Sequence, residues 1–72
     1  MKIVALVSKT LGIGFRLSGI ETFSPEGDMA VPLLEKINKD PNIGLVIVSK
    51  SYESKRKNLS KPCIVIEEPQ NA

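Results

Sequence analysis

Two short polar stretches hold most of the side chains with which this 72-residue chain could do chemistry. Ser8-Lys9-Thr10-Leu11-Gly12 follows one apolar run, and Ser49-Lys50-Ser51 follows another. Lysines and hydroxyls placed just after strands, near helix N-termini, are groups that hold anions. Lys9, Thr10, Ser49 and Lys50 are therefore candidate anion-binding residues, although ordinary polar loops at helix caps have the same composition. Gly12-Ile13-Gly14 supplies two glycines of a dinucleotide fingerprint, but the third position is Leu17, and the first glycine comes five residues after the run. A phosphate-binding P-loop is excluded, because no glycine-lysine-serine/threonine triplet occurs.

Other chemistries drop out in turn. The absence of histidine removes imidazole metal sites, phosphohistidine transfer and histidine acid/base catalysis. A single cysteine, Cys63, cannot make an internal disulfide or a multi-cysteine metal site. It opens the last apolar run, a place for a small core residue, whereas a phosphocysteine nucleophile would follow the first strand. Receiver-type phosphoacceptor chemistry needs carboxylates after the first and middle strands, and those places hold Ser8-Lys9 and Ser49-Lys50. Glu67 and Glu68 are adjacent, so on an extended chain they point to opposite faces. The chain is thus expected not to be an enzyme and to carry neither cofactor nor metal. Lys50, Lys55, Arg56, Lys57 and Lys61 form a basic cluster, but Tyr52 is its one aromatic neighbour and no nucleic-acid motif accompanies it. A solvated face accounts for it, and no nucleic-acid partner is expected.

The elements that would position these residues are legible from hydropathy. Ile3 to Val7, Ile43 to Val48 and Cys63 to Ile66 are short, continuous apolar runs of the kind that form parallel strands buried on both faces. Ile20 to Phe23 is a weaker strand, polar at Glu21 and Thr22 as an edge strand should be. Gly12 to Leu17 suits a short helix. A second helix is predicted to begin near Ser24-Pro25-Glu26, with Ser24 as cap and Pro25 in the first turn. Its buried stripe is Met29, Ala30, Leu33, Leu34 and Ile37, and Pro32 delays or kinks it. Asp40-Pro41-Asn42 ends it. Ser51 to Leu59 is polar, so its helix should be short or poorly formed. The alternation predicts an α/β fold: a four-stranded parallel sheet in the order 2-1-3-4 flanked by helices, Rossmann-like or flavodoxin-like.

Length and composition agree with one small domain, placed at residues 1–69 with a tail at 70–72. An apolar fraction of 42% and a charged fraction of 25% are those of a globular chain. At this size the balance of burial against ordering is marginal, so a partner surface would help. No apolar run approaches the roughly 20 residues of a membrane span. Met1 to Val7 turns polar too soon for a signal peptide, and cytoplasmic placement is expected.

The segment Gly14-Phe15-Arg16-Leu17-Ser18-Gly19-Ile20, taken with Met1-Lys2-Ile3-Val4, resembles the family of small central-stalk proteins designated F in V-type and archaeal A-type rotary ATPases (ATP synthases). Asn42 to Ser49 is similar to that family's third strand, and Pro62 to Pro69 to its fourth. The resemblance runs in order over nearly the whole chain. It implies a non-catalytic component of the soluble central stalk, docked on the long coiled-coil stalk protein and in contact with other parts of the soluble sector. Such a component couples ATP hydrolysis or synthesis to ion transport, proton transport included, without inserting into the membrane, and is peripheral to it through the complex. The chain departs from the family in lacking an acid after the first strand, in a shorter third crossover, and in ending without the usual C-terminal helix, so a short form is expected. Phe15, Arg16 and Leu17 are the candidate partner interface. Phe15 and Leu17 suit either core or interface, and the planar five-donor fork of Arg16 suits a carboxylate or backbone carbonyls. Gly19 suits a tight entry to the second strand. The alternative reading is a small regulatory α/β domain that binds an anionic ligand at Lys9, Thr10, Ser49 and Lys50.

Overall fold

The computed structural model describes residues 1–68; the predicted tail at 70–72 lies outside the described residues. Strands β1 (Lys2–Leu6), β2 (Glu21–Phe23), β3 (Ile43–Ser49) and β4 (Cys63–Ile66) form one sheet in the order β2-β1-β3-β4, with every pairing parallel. Helix α1 (Lys9–Leu17) joins β1 to β2, and α2 (Ala30–Lys39) joins β2 to β3. A 3₁₀ helix, Lys50–Asn58, joins β3 to β4. This is the α/β fold expected from the alternating elements, and it is consistent with a Rossmann-like or flavodoxin-like architecture.

Register assigns the side chains to faces, because successive residues of a strand alternate. Val4, Val46 and Cys63 share one row, and Phe23, Leu6, Val48 and Val65 the next, on one face of the sheet. Over this face lie Leu34 and Ile37 of α2, which are buried together with Val4, Leu6, Ile43, Val46 and Val48 as the core. Tyr52 and Leu59 bring the 3₁₀ segment onto the same core. Asn38 fastens the two crossovers: its Nδ2 donates to the Asn58 carbonyl at 2.8 Å, and its Oδ1 accepts the Ser60 N–H at 2.8 Å.

Local boundaries differ from the sequence expectation at the starts of both α-helices. Ser24 does not cap α2; its hydroxyl donates to the Val7 carbonyl at 2.6 Å and ties β2 to the end of β1. Pro25 stays outside the helix as well. Gly27 turns the chain at φ 53°, and a 3₁₀ turn, Gly27–Met29, leads into α2. Pro32 is then the third residue of α2, where its missing N–H costs nothing because first-turn amides have no partner in the helix. Helix α1 begins at Lys9 rather than Gly12, so Lys9 and Thr10 belong to its first turn and not to a loop. The third crossover is helical but 3₁₀ over nine residues, as suits a polar segment with no buried residue to form an α-helical stripe.

Candidate functional site

Opposite the core face, the sheet is covered only in part. Row by row, this second face carries Thr22, Ala5, Ile47 and Ile64 across the four strands. Helix α1 lies over the β2 end, where Gly12 is buried against Thr22 and Ser24. Beneath it Ala5 and Val7 are fully buried. Exposure then climbs along the row, from 0% at Ala5 through half-buried Ile47 to 51% at Ile64. Ile3 is 39% exposed, and its row neighbour Leu45 and the β4 residue Ile66 are half-buried. No residue of β4 is fully buried. The expectation that Cys63 to Ile66 is covered on both faces is thus corrected: β4 is an edge strand with one apolar face open to solvent. Cys63, expected to be a buried core residue, is a half-buried free thiol packed against the core.

Over β3 and β4 a surface two strands wide, roughly 10 Å across at ordinary strand spacing and so the width of one helix, has no helix of the described residues above it and is partly exposed. Parallel sheets are ordinarily covered on both faces, so this half presents isoleucine and leucine with no covering element among the described residues.

At the carboxyl ends of the strands the candidate anion-binding residues come near one another, and internal carboxylates already serve them. Lys9 Nζ lies 2.6 Å from Glu26 Oε1, and Lys50 Nζ 3.4 Å from Glu53 Oε1. The Lys9 ammonium hydrogen-bonds to Glu26 and holds that carboxyl below its ordinary range, while the Lys9 pKa is raised. Ser49, fully buried, accepts the Ser8 N–H at 3.2 Å and donates to Glu68 Oε1 at 2.7 Å. The same Glu68 oxygen accepts the Ser51 N–H at 3.0 Å. Hydrogen bonds from Ser51 and Ser49 lower the pKa of the Glu68 carboxyl. Thr10 is exposed in the first turn of α1. Ser49 thus links the ends of β1 and β3, and Glu68 ties the end of β4 to Ser49 and Ser51; sequence reasoning missed Glu68 because its partners lie 17 and 19 residues away. Nearby, the Tyr52 hydroxyl donates to the Pro25 carbonyl at 2.7 Å; burial, with the charges of Glu26 and Glu68, pushes its phenol pKa up.

The candidate interface residues divide. Phe15 is half-buried and lines an open depression with Leu11, Gly14, Ser18 and Ile20, and its carbonyl accepts the Ile20 N–H at 3.1 Å. Arg16 and Leu17 are exposed, Leu17 at 84%. Arg16 joins none of the ion pairs among the described residues. Gly19, at φ 84°, makes the left-handed turn that lets the chain enter β2. Of the basic cluster, Lys61 Nζ donates to the Asp40 carbonyl at 2.8 Å, while Arg56 and Lys57 stand exposed on the 3₁₀ segment and Lys55 is half-buried.

Among the described residues no three or more His, Cys, Asp or Glu gather as a metal-ligand group, and no helix is long and apolar enough to cross a membrane. Compared with protein-family models, curated proteins and solved structures, the chain matches none.

Proposed function

We propose that this chain is a non-catalytic docking component of a rotary ATPase central stalk, of the kind designated F, seated on the coiled-coil stalk protein. In that role it couples ATP hydrolysis or synthesis to ion transport by contact alone, on the cytoplasmic side of the membrane and peripheral to it. The observation that carries the docking reading is the partly open apolar face over β3 and β4 at Leu45, Ile47, Ile64 and Ile66, extended by exposed Ile3 of β1. One helix of a coiled coil has the width and the apolar stripe to cover it. The central-stalk identity rests on the ordered resemblance of the Gly14 to Ile20 segment and the third and fourth strands.

The competing reading, an anion-regulated domain, needs an external anion to displace Glu68 from Ser49 and Ser51, and Glu26 and Glu53 from the two lysines. Internal satisfaction of those donors favours docking. Titration calorimetry of the chain with the coiled-coil stalk protein tests it. Binding that Ile64→Lys weakens about tenfold or more is expected. No heat of binding with a folded partner, or equal affinity of the variant, would overturn it.

A further inference from the structure

A second surface lies at the opposite edge of the sheet. Helix α1 carries Ile13, Arg16 and Leu17 at i, i+3 and i+4, a spacing that sets three side chains on one flank. Ile13 is 62% exposed and Leu17 84%. Arg16 also lines an open groove of about 360 Å³ that runs over β2 to Phe23, Pro25, Met29 and Leu33. Met29, on the far wall, is 66% exposed. Exposed large apolar side chains gathered in one place are informative where scattered ones are not.

The charge in this groove is unanswered. Thr22 and Ser24 are its polar lining besides Arg16, and no carboxylate of the described residues lines it. Of the nearby acids, Glu21 pairs with Lys2 at 2.8 Å and Glu26 with Lys9 at 2.6 Å, while Asp28, next to Met29, neither lines the groove nor pairs with Arg16. A guanidinium that a partner covers must receive a counter-charge, because a buried unpaired charge is strongly unfavourable. Its fork geometry matches a carboxylate.

We propose that this groove is a second docking surface whose occupant is an amphipathic helix of a partner protein that sets a carboxylate between two apolar side chains. The carboxylate pairs with Arg16, and the apolar neighbours cover Leu17 and Ile13 on one side and Met29 on the other. The surface takes in Arg16 and Leu17, which the resemblance offered as a partner interface, and it goes beyond the stalk docking proposed above because β1 separates it from the face over β3 and β4. The chain then joins two partners, or two segments of one partner, across the width of its sheet.

The test uses the isotope-labelled full chain and a pair of blocked peptides of about 15 residues, long enough to populate helix. One carries a central glutamate with leucines one turn to either side, and its twin carries glutamine there. The glutamate peptide should shift the Arg16 Nε–Hε signal and the Ile13, Leu17 and Met29 methyls, and leave Ile47 and Ile64 unmoved. Its affinity should fall about tenfold with the glutamine twin or with Arg16→Gln, and should fall with added salt. Leu17→Ser, at an exposed site, should weaken binding while keeping the folded amide spectrum. The proposal is overturned by equal affinity of the two peptides, by shifts confined to Ile47 and Ile64, or by no shift at millimolar peptide. Concentration-dependent broadening of Met29 without peptide would assign the groove to a second copy of the chain instead, and would overturn it equally.

Discussion

A paired substitution on the two faces of the sheet separates a covered surface from an open one. Val46 and Ile64 lie one strand apart on opposite faces, the first fully buried and the second 51% exposed. Full burial of such a side chain contributes about 1.5–3 kcal/mol. Val46→Ser forfeits all of that and adds an unpartnered hydroxyl in the core at about 1–3 kcal/mol. The sum, about 2.5–6 kcal/mol, is a large part of the roughly 4–11 kcal/mol that stabilises a domain of this size. Ile64→Ser forfeits only about half the transfer gain, on the order of 1 kcal/mol, and its hydroxyl meets water. Urea and thermal unfolding followed by circular dichroism read both. Ile64→Ser should lower Tm by about 4–8 °C, and Val46→Ser should leave the chain largely unfolded or close to it. Equal losses at the two positions would show that the β4 face is covered in the free protein, and the docking argument would lose its basis.

Other outcomes follow from single residues. Gly14 lies inside α1 with open space where a Cβ would sit, so Gly14→Ala should raise stability by about 0.5–1 kcal/mol; Gly19→Ala, at φ 84°, should lower it by about 1–2 kcal/mol, both read by urea midpoints. Ser49→Ala strips the buried hydroxyl from the Ser8 N–H and the Glu68 carboxylate and should cost about 1–3 kcal/mol in the same assay. Because the folded pKa of Glu68 is lowered, its contribution is present above the unfolded value of about 4.3 and is lost as pH falls through the folded one. Unfolding midpoints below pH 5 should therefore fall less steeply for Glu68→Gln than for the native chain. Added phosphate should leave Tm unchanged in both the native chain and Lys9→Ala; a phosphate-dependent rise that Lys9→Ala abolishes would instead support the anion-binding reading.

The strands were readable because four short hydropathy runs, separated by polar crossovers, admit few sheets, and the order 2-1-3-4 puts the weak, polar strand at an edge and the first strand in the interior. Helix starts were harder. Ser24 has the chemistry of a cap, yet its hydroxyl goes to Val7, 17 residues away in sequence, and the positive φ of Gly27 moves the start of α2. A continuous apolar run such as Cys63 to Ile66 has no alternation with which to mark a solvent face. The exposure of Ile64 is set by how far α1 reaches across the sheet, which is a tertiary fact. The same holds for Glu68, whose neighbours come from β3 and the turn after it, and for Arg16, which joins none of the ion pairs among the described residues. The candidate anion-binding residues were found by type and place; that internal carboxylates serve three of them was not visible in spacing.

Docking through contact alone is tested most directly by native mass of the chain co-expressed with the coiled-coil stalk protein. A one-to-one complex that Ile64→Lys dissolves, with both chains still folded, is the predicted result. A free chain beside a folded, competent stalk protein would contradict the central-stalk assignment.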